Sequence, residues 1–454
     1  MMKKAFFVLL VGLAIVSPVF ASGSREGKGK ATAVEEVNYF SGIGAYKTLL
    51  EQEIVKWNET KGAQLGVRIV METNIDNFSQ TAQTMMESGN FPDIVDYAWS
   101  NINWIAAGWI KDLYQIKGLE DLIKRFKPYF AQGVNLQGDM LVALPLEVLP
   151  LKMVYNADIF KECGLPGPPK TLAQMVEYAR IITKKGNGKY YGFGWTTMWQ
   201  ASWRRLAMVA SMSSTGVHYF NSNTGKYDFR PFLPVIEAYT KMYQEGSMFP
   251  SPLDQHIDPI RNRFAEGLAG MEIAPAYDIS VYNVQFPAKF DWKVADVPAF
   301  TDKGLLYKGI SLNRANCSIT THVPDSRMSA VVEAFKFLHS EDLYAKLYSN
   351  CAIIPHEESI IKRVNATGFE RELKNWKEMA DISNYTFIPP WPDLLLTLKG
   401  DNFHTVFTNI MLGETTWDKE IDSLNKRYNE AYQQAKADGK INTDIFERPY
   451  SNAK

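Results

Sequence analysis

An alternation of short apolar runs with helically spaced segments over residues 36–113 constrains the fold more than any other feature. Glu36-Val37-Asn38-Tyr39-Phe40 reads as a strand closed by Ser41-Gly42. Residues 46–57 place Leu49, Leu50, Ile54 and Trp57 at helical spacing. Residues 67–71 form the next strand, 78–88 the next helix, Ile94-Val95 a short buried strand, and 104–108 a further helix. Strands alternating with helices in this way predict parallel pairing joined by crossover helices. A second series comes next, with strands over 142–145 and 152–155 and a helix over 171–184. In that helix Leu172, Met175, Val176, Ala179 and Ile182 share one face, and Thr171 is the N-cap after Pro168-Pro169. Further helices are expected over 201–212, 234–244, 260–266, 329–337 and 416–437.

The N-terminus reads as an export signal. Lys3 and Lys4 precede an uncharged, mostly apolar run over 5–16, Pro18 breaks it, and Val19-Phe20-Ala21 sets small residues at the −3 and −1 positions of a cleavage site. A run of roughly 12 residues falls short of the about 20 that a membrane-spanning helix needs. A signal peptide is therefore expected over 1–21, a flexible polar leader over 22–33, and a working chain from near Ser22 in a periplasm-like space. No cysteine lies near the cleavage point to carry a lipid.

The content, 46% apolar and 13% aromatic, predicts large cores in two or three domains. A net charge of −1 argues against a nucleic-acid surface. Cys163, Cys317 and Cys351 have no metal-like spacing. In an oxidising compartment either Cys317 pairs with Cys351, or all three are small buried residues. Gly42-Ile43-Gly44 imitates half of a dinucleotide fingerprint, but Lys47 stands where its last glycine belongs. No HExxH or GxSxG occurs. No cofactor and no metal are expected.

Four segments carry a family pattern. They are Gly89-Asn90-Phe91-Pro92-Asp93-Ile94-Val95 with Gly108-Trp109-Ile110; Ala143-Leu144-Pro145 with Tyr155-Asn156-Ala157-Asp158-Ile159-Phe160, Gly164-Leu165 and Pro168-Pro169-Lys170-Thr171; Phe264-Ala265-Glu266-Gly267 with Met271; and Leu412-Gly413-Glu414. Their order resembles the extracellular solute-binding proteins, family 1, that serve bacterial ABC sugar importers. The resemblance covers nearly the whole chain after the leader. It implies an α/β, two-lobed periplasmic-binding-protein fold (type II), each lobe a mainly parallel sheet flanked by helices, with a hinge of crossing segments. Lobe one would hold 34–146 plus 315–354, and lobe two 147–314 plus 355–454. The implied function is capture of a carbohydrate, an oligosaccharide by expectation, by a monomer that delivers it to the transmembrane subunits of an ABC permease without altering it. A binding protein for a peptide or polyamine, and a secreted glycoside hydrolase, are the competing readings.

A sugar presents apolar C–H faces and a rim of hydroxyls, so its site needs flat rings and polar groups at strand ends. Tyr39, Phe40 and Ser41 end the first strand, and Tyr97, Trp99 and Ser100 lie just after the Ile94-Val95 strand. Maltose-binding relatives have an acid where Ser100 stands, a departure that puts the same hydroxyl pattern, and hence maltose, in doubt. Glu147 falls where relatives place a carboxylate in the first crossing segment. Tyr277, beside Asp278, falls where they stack a ring. Trp195 and Trp199 lie in one aromatic loop, Trp391 sits among prolines, and Arg314 lies near the return crossing. Each of these is a candidate ligand contact.

Overall fold

The computed structural model describes residues 34–447, apart from 45, 75–76, 98–103, 106, 133, 199–201, 251, 312–315 and 390. The expected signal peptide and leader, and the candidates Trp99, Ser100, Trp199 and Arg314, lie outside the described residues.

Lobe one is a five-stranded sheet in the order Val67–Thr73, Glu35–Ser41, Ile94–Tyr97, Asn316–Ile319, Leu144–Pro145. The first three strands are parallel, with Tyr39 opposite Met71 on one side and Ile94 on the other. The helix Lys47–Trp57 crosses between the first two, burying Leu50, Ile54 and Trp57 at the spacing that one helix face requires. Lobe two is a four-stranded sheet in the order Trp292–Ala295, Leu151–Asn156, Ala269–Pro275, Tyr191–Phe193. The helix Leu172–Gly186 covers it, capped at its start by the Thr171 side chain, which accepts from the Gln174 N–H at 3.2 Å. Helix and strand approach so closely that a Cβ on Gly192 would lie 2.2 Å from the backbone of Ala179.

The two-lobed α/β fold is the one that the resemblance implies. Its sheets are mixed rather than mainly parallel. Asn316–Ile319 pairs antiparallel with both of its neighbours, and Leu151–Asn156 does the same. The hinge is the reason. Strands reached through crossover helices run toward the cleft, whereas a strand that has just come through the hinge runs away from it.

Three passages of chain link the lobes: the segment after Pro145, the return before Asn316, and the segment after Cys351. The first and third are tied together by Val148 N–H donating to the Ile354 carbonyl at 2.8 Å. One core joins residues between Val37 and Leu146 to residues between Cys317 and Ile353, and the larger core gathers most of the remainder. Helix Glu358–Thr367 straddles the two, with Ile360 in the first core and Val364 in the second. Arg125 grips Glu357 at 2.7 and 2.9 Å and so fastens the third passage to lobe one. Among the described residues, no helix is long and apolar enough to cross a membrane.

Candidate functional site

In lobe one the strand Glu35–Ser41 delivers the chain to the cleft, and a buried carboxylate shapes the loop at its end. Asp96 accepts from the Tyr39 hydroxyl at 2.6 Å, from the Gly42 N–H at 3.1 Å and from the Ser41 hydroxyl. Burial raises the Asp96 pKa, and these hydrogen bonds oppose the rise. The Ser41 oxygen in turn accepts from the Ile43 N–H at 3.1 Å. The loop is thereby fixed so that Ile43, Gly44 and Tyr46 face the other lobe.

Tyr39, Phe40 and Ser41 themselves, expected at the cleft wall, lie inside lobe one. Their strand has neighbours on both sides and helices over both faces, so successive side chains are buried alternately above and below it. Phe40 stacks on Phe78 with ring centroids 5.3 Å apart. Tyr97 ends its strand opposite Asn316.

The floor is the hinge. Glu147 is buried there in a cavity of about 50 Å³ that also borders Tyr46, Tyr277, Ile353 and Trp376. Both lobes and two of the passages contribute to it. Burial, then the Glu147 charge, raises the pKa of Tyr46.

Lobe two presents Tyr277 at the end of the strand Ala269–Pro275. Its ring is half-buried and borders both the floor and a second cavity of about 40 Å³ on the lobe-two face. Arg205 Nη1 donates to the Tyr277 hydroxyl at 3.2 Å, and the Arg261 guanidinium lies 5.4 Å from the ring centroid. Asp278 is buried and committed to Arg261, which donates to its two oxygens at 2.7 and 3.2 Å and to Asp258 at 2.9 Å. Burial pushes Asp278 up to about 6 despite that partner. Asp278 therefore anchors the arginine rather than offering an open carboxylate.

Trp195 borders the lobe-two cavity but packs edge-on against Trp203 and Tyr239, at 4.6 and 5.1 Å, so it belongs mainly to the core. Trp391 is half-buried, with the Arg204 guanidinium 5.4 Å from its ring centroid. Asp393, close behind it, accepts from the hydroxyls of Tyr219 and Tyr227, each at 2.7 Å, and pins the loop.

The structure therefore brings Glu147 and Tyr277 together and adds Tyr46, Arg205, Arg261 and Trp376, which the sequence reading did not select. A lone Trp in the charged stretch 370–378 and two consecutive arginines after an aromatic loop were the available signals. All three cysteines are free thiols, so Cys317 does not pair with Cys351. Cys317 lies in the lobe-one sheet, 3.6 Å from the Asp96 carboxylate, whereas Cys351 Sγ is 3.2 Å from the Arg371 carbonyl at the hinge. Among the described residues, no group of three or more His, Cys, Asp or Glu could hold a metal ion.

The family profile for bacterial extracellular solute-binding proteins matches residues 48–326, well over half of the chain. The chain is a bacterial extracellular solute-binding protein. Among curated relatives, a binding protein of Brucella abortus (strain 2308) is 24% identical over 404 residues, covering 83% of this chain and 90% of its own. Solved structures agree on the fold. This solute-binding protein matches the sugar-binding protein MalE of Xanthomonas citri with a TM-score of 0.70 at 14% identity, over 90% of its own length and all of that chain. The GacH receptor of Streptomyces glaucescens matches with 0.69 at 15% identity, over 90% and 100%. A Thermotoga lettingae solute-binding protein solved with α-D-tagatose matches with 0.67 at 18% identity, over 88% and 100%. The family is a class of binding proteins of ABC transporters, and its members serve outside the cytoplasm.

Proposed function

We propose that this solute-binding protein is exported by the signal peptide over 1–21, captures a carbohydrate between its lobes as a monomer, and delivers it unaltered to an ABC permease. One observation carries the reading: an exposed edge of Tyr277, held by Arg205, faces a floor lined by Glu147 and Tyr46 from the hinge and the opposite lobe. A flat ring stacks on a sugar's C–H face, while carboxylate, guanidinium and phenol groups bond its hydroxyls. The sugar-binding protein MalE and the relative solved with α-D-tagatose point the same way. Trp99 and Ser100, which follow Tyr97 in sequence, and Trp391 are kept as proposed ligand contacts. Ligand that touches both lobes favours the arrangement in which they close on it, because only there are both sets of contacts made.

The test is a thermal-shift screen of mono- and oligosaccharides, peptides and polyamines, with intrinsic Trp fluorescence as a second readout. A saccharide should raise the midpoint and perturb the fluorescence, and the sugar recovered afterwards should be chemically unchanged. Stabilisation by peptides or polyamines alone, or turnover of a glycan, would overturn the proposal.

A further inference from the structure

Lobe two leaves part of its sheet uncovered. Ile273 is the one partly exposed residue in the strand Ala269–Pro275. It borders two cavities, the one of about 40 Å³ beside Tyr277 and a neighbouring one of about 20 Å³. Leu206, in the π-helical turn Arg204–Met208, borders both as well, and such widened turns are frequent at functional sites. The larger cavity has apolar walls from Leu151, Trp195, Leu206, Ile257, Ile273 and Pro275. Polar groups at its border are engaged with other partners. Arg261 bonds Asp258 and Asp278, Arg205 bonds the Tyr277 hydroxyl, and the Thr196 hydroxyl bonds the carbonyls of Pro252, at 3.1 Å, and Gln255. Ser202 adds a hydroxyl to the border.

A void against such walls costs stability, because its lining loses contacts that a filled site would keep. Apolar cavities of this kind stay dry and take apolar guests. A water-sized group needs about 10–15 Å³, so about three fit within 40 Å³. The position matters as much as the size. Leu151 and Pro275 stand opposite each other at the cleft end of the sheet, and Tyr277 is a wall of both this cavity and the floor. A sugar seated on the floor against Tyr277 therefore reaches the cavity with a substituent of one to three heavy atoms. A hydroxyl or hydroxymethyl group placed there gives up more bonds to water than the border returns. A methyl group has none to give up.

We propose that the ligand is a sugar with a methyl-terminated substituent, an acetyl group or the terminal methyl of a deoxy sugar, and that this cavity receives it. The proposal rests on the carbohydrate reading and narrows it. Burying the methyl removes apolar surface from water on the ligand and on the walls alike. The hydroxylated analogue is turned away by the same walls, since a site discriminates through what it leaves unpaired as well as through what it contacts.

The test is titration calorimetry of the full chain with matched sugars. N-acetylglucosamine and its β-linked dimer are set against glucose and cellobiose, and L-fucose and L-rhamnose against L-galactose and L-mannose. At least one methyl-bearing sugar should bind at least tenfold more tightly than its counterpart. A preference confined to the N-acetyl sugars identifies the substituent as acetyl, and one confined to fucose or rhamnose identifies it as the deoxy methyl. Ile257→Phe, which fills the cavity, should bring the ratio close to one, and Ile257→Ser, which sets a hydroxyl in its wall, should lower it. The unliganded thermal midpoint checks that each variant folds. Counterparts binding as tightly as the methyl-bearing sugars, or an undiminished ratio in folded Ile257→Phe, would overturn the cavity proposal and leave the carbohydrate reading standing. Failure of every saccharide to bind would overturn both.

Discussion

Glu272 offers a quantitative test of how lobe two is built. It lies in the strand Ala269–Pro275 and is only 3% exposed. One carboxylate oxygen accepts from the Tyr282 hydroxyl at 2.6 Å, and the other has no partner among the described residues. Burial, then the nearby Asp278 charge, pushes its pKa from an ordinary 4.5 up to about 8. A group that holds its proton more tightly when folded contributes stability that is complete below the unfolded pKa and is lost as pH rises through the folded one. The loss from Glu272 therefore runs from about pH 4.5 to about pH 8. At about 1.4 kcal/mol per unit, that displacement sets an upper bound of roughly 5 kcal/mol. Asp278, pushed from 3.8 up to about 6, adds a loss of the same sign at lower pH.

Replacing Glu272 with Gln keeps the shape and the acceptor for Tyr282 but removes the titration. Urea unfolding at pH 5, 7 and 9, followed by Trp fluorescence, measures both proteins. Between pH 5 and 9 the unmodified protein should lose several kcal/mol more than Glu272→Gln, on the order of 3–4 kcal/mol. The variant should be the more stable of the two at pH 9. Contributions from titrating groups that do not interact with Glu272 are common to both and cancel. Parallel stability–pH curves would refute the reasoning, because they would mean that burial does not hold this carboxyl protonated.

Three further outcomes are expected. Gly192→Ala forces a methyl against the Ala179 backbone, which is not a flexible partner, so unfolding should be easier by about 1–3 kcal/mol or more in denaturant titration. Tyr39→Phe removes one of the donors to buried Asp96 and should cost about 1–3 kcal/mol by the same assay, with a midpoint that falls further as pH rises. Tyr277→Ala should weaken binding of the cognate saccharide at least tenfold by titration calorimetry, since the half-buried ring borders the floor cavity between the lobes, with the unliganded midpoint checking that the variant folds.

Much of the fold was legible because it is written locally. The helix Leu172–Gly186 shows its buried face and its Thr171 cap in the sequence, and both are present. The strands Tyr191–Phe193 and Asn316–Ile319 left no comparable trace. Each is short and lies against other elements on both faces, so the polar alternation that marks a half-buried strand is missing. The site was harder to read, because its walls are assembled from far apart: Tyr46, Glu147, Tyr277 and Trp376 meet only through the folding of both lobes. Glu147 and Tyr277 were found through their place in a family pattern. Arg205 and Trp376 have no periodicity to betray them. Tyr39 and Ser41 misled because a strand end looks like a surface, and only the Asp96 carboxylate explains why their hydroxyls turn inward.

The order of the lobe-one sheet fixes when that lobe can exist. Its fourth strand, Asn316–Ile319, slots between Ile94–Tyr97 and Leu144–Pro145, yet it is made only after all four strands of lobe two's sheet. A nascent chain that has emerged as far as residue 300 therefore carries a split half-domain with two raw edges where backbone donors and acceptors await a partner. Such a chain is poorly suited to early folding on the ribosome and well suited to being threaded unfolded through a translocation pore. Truncations ending short of Ile319 should accumulate as aggregates, not as a working half.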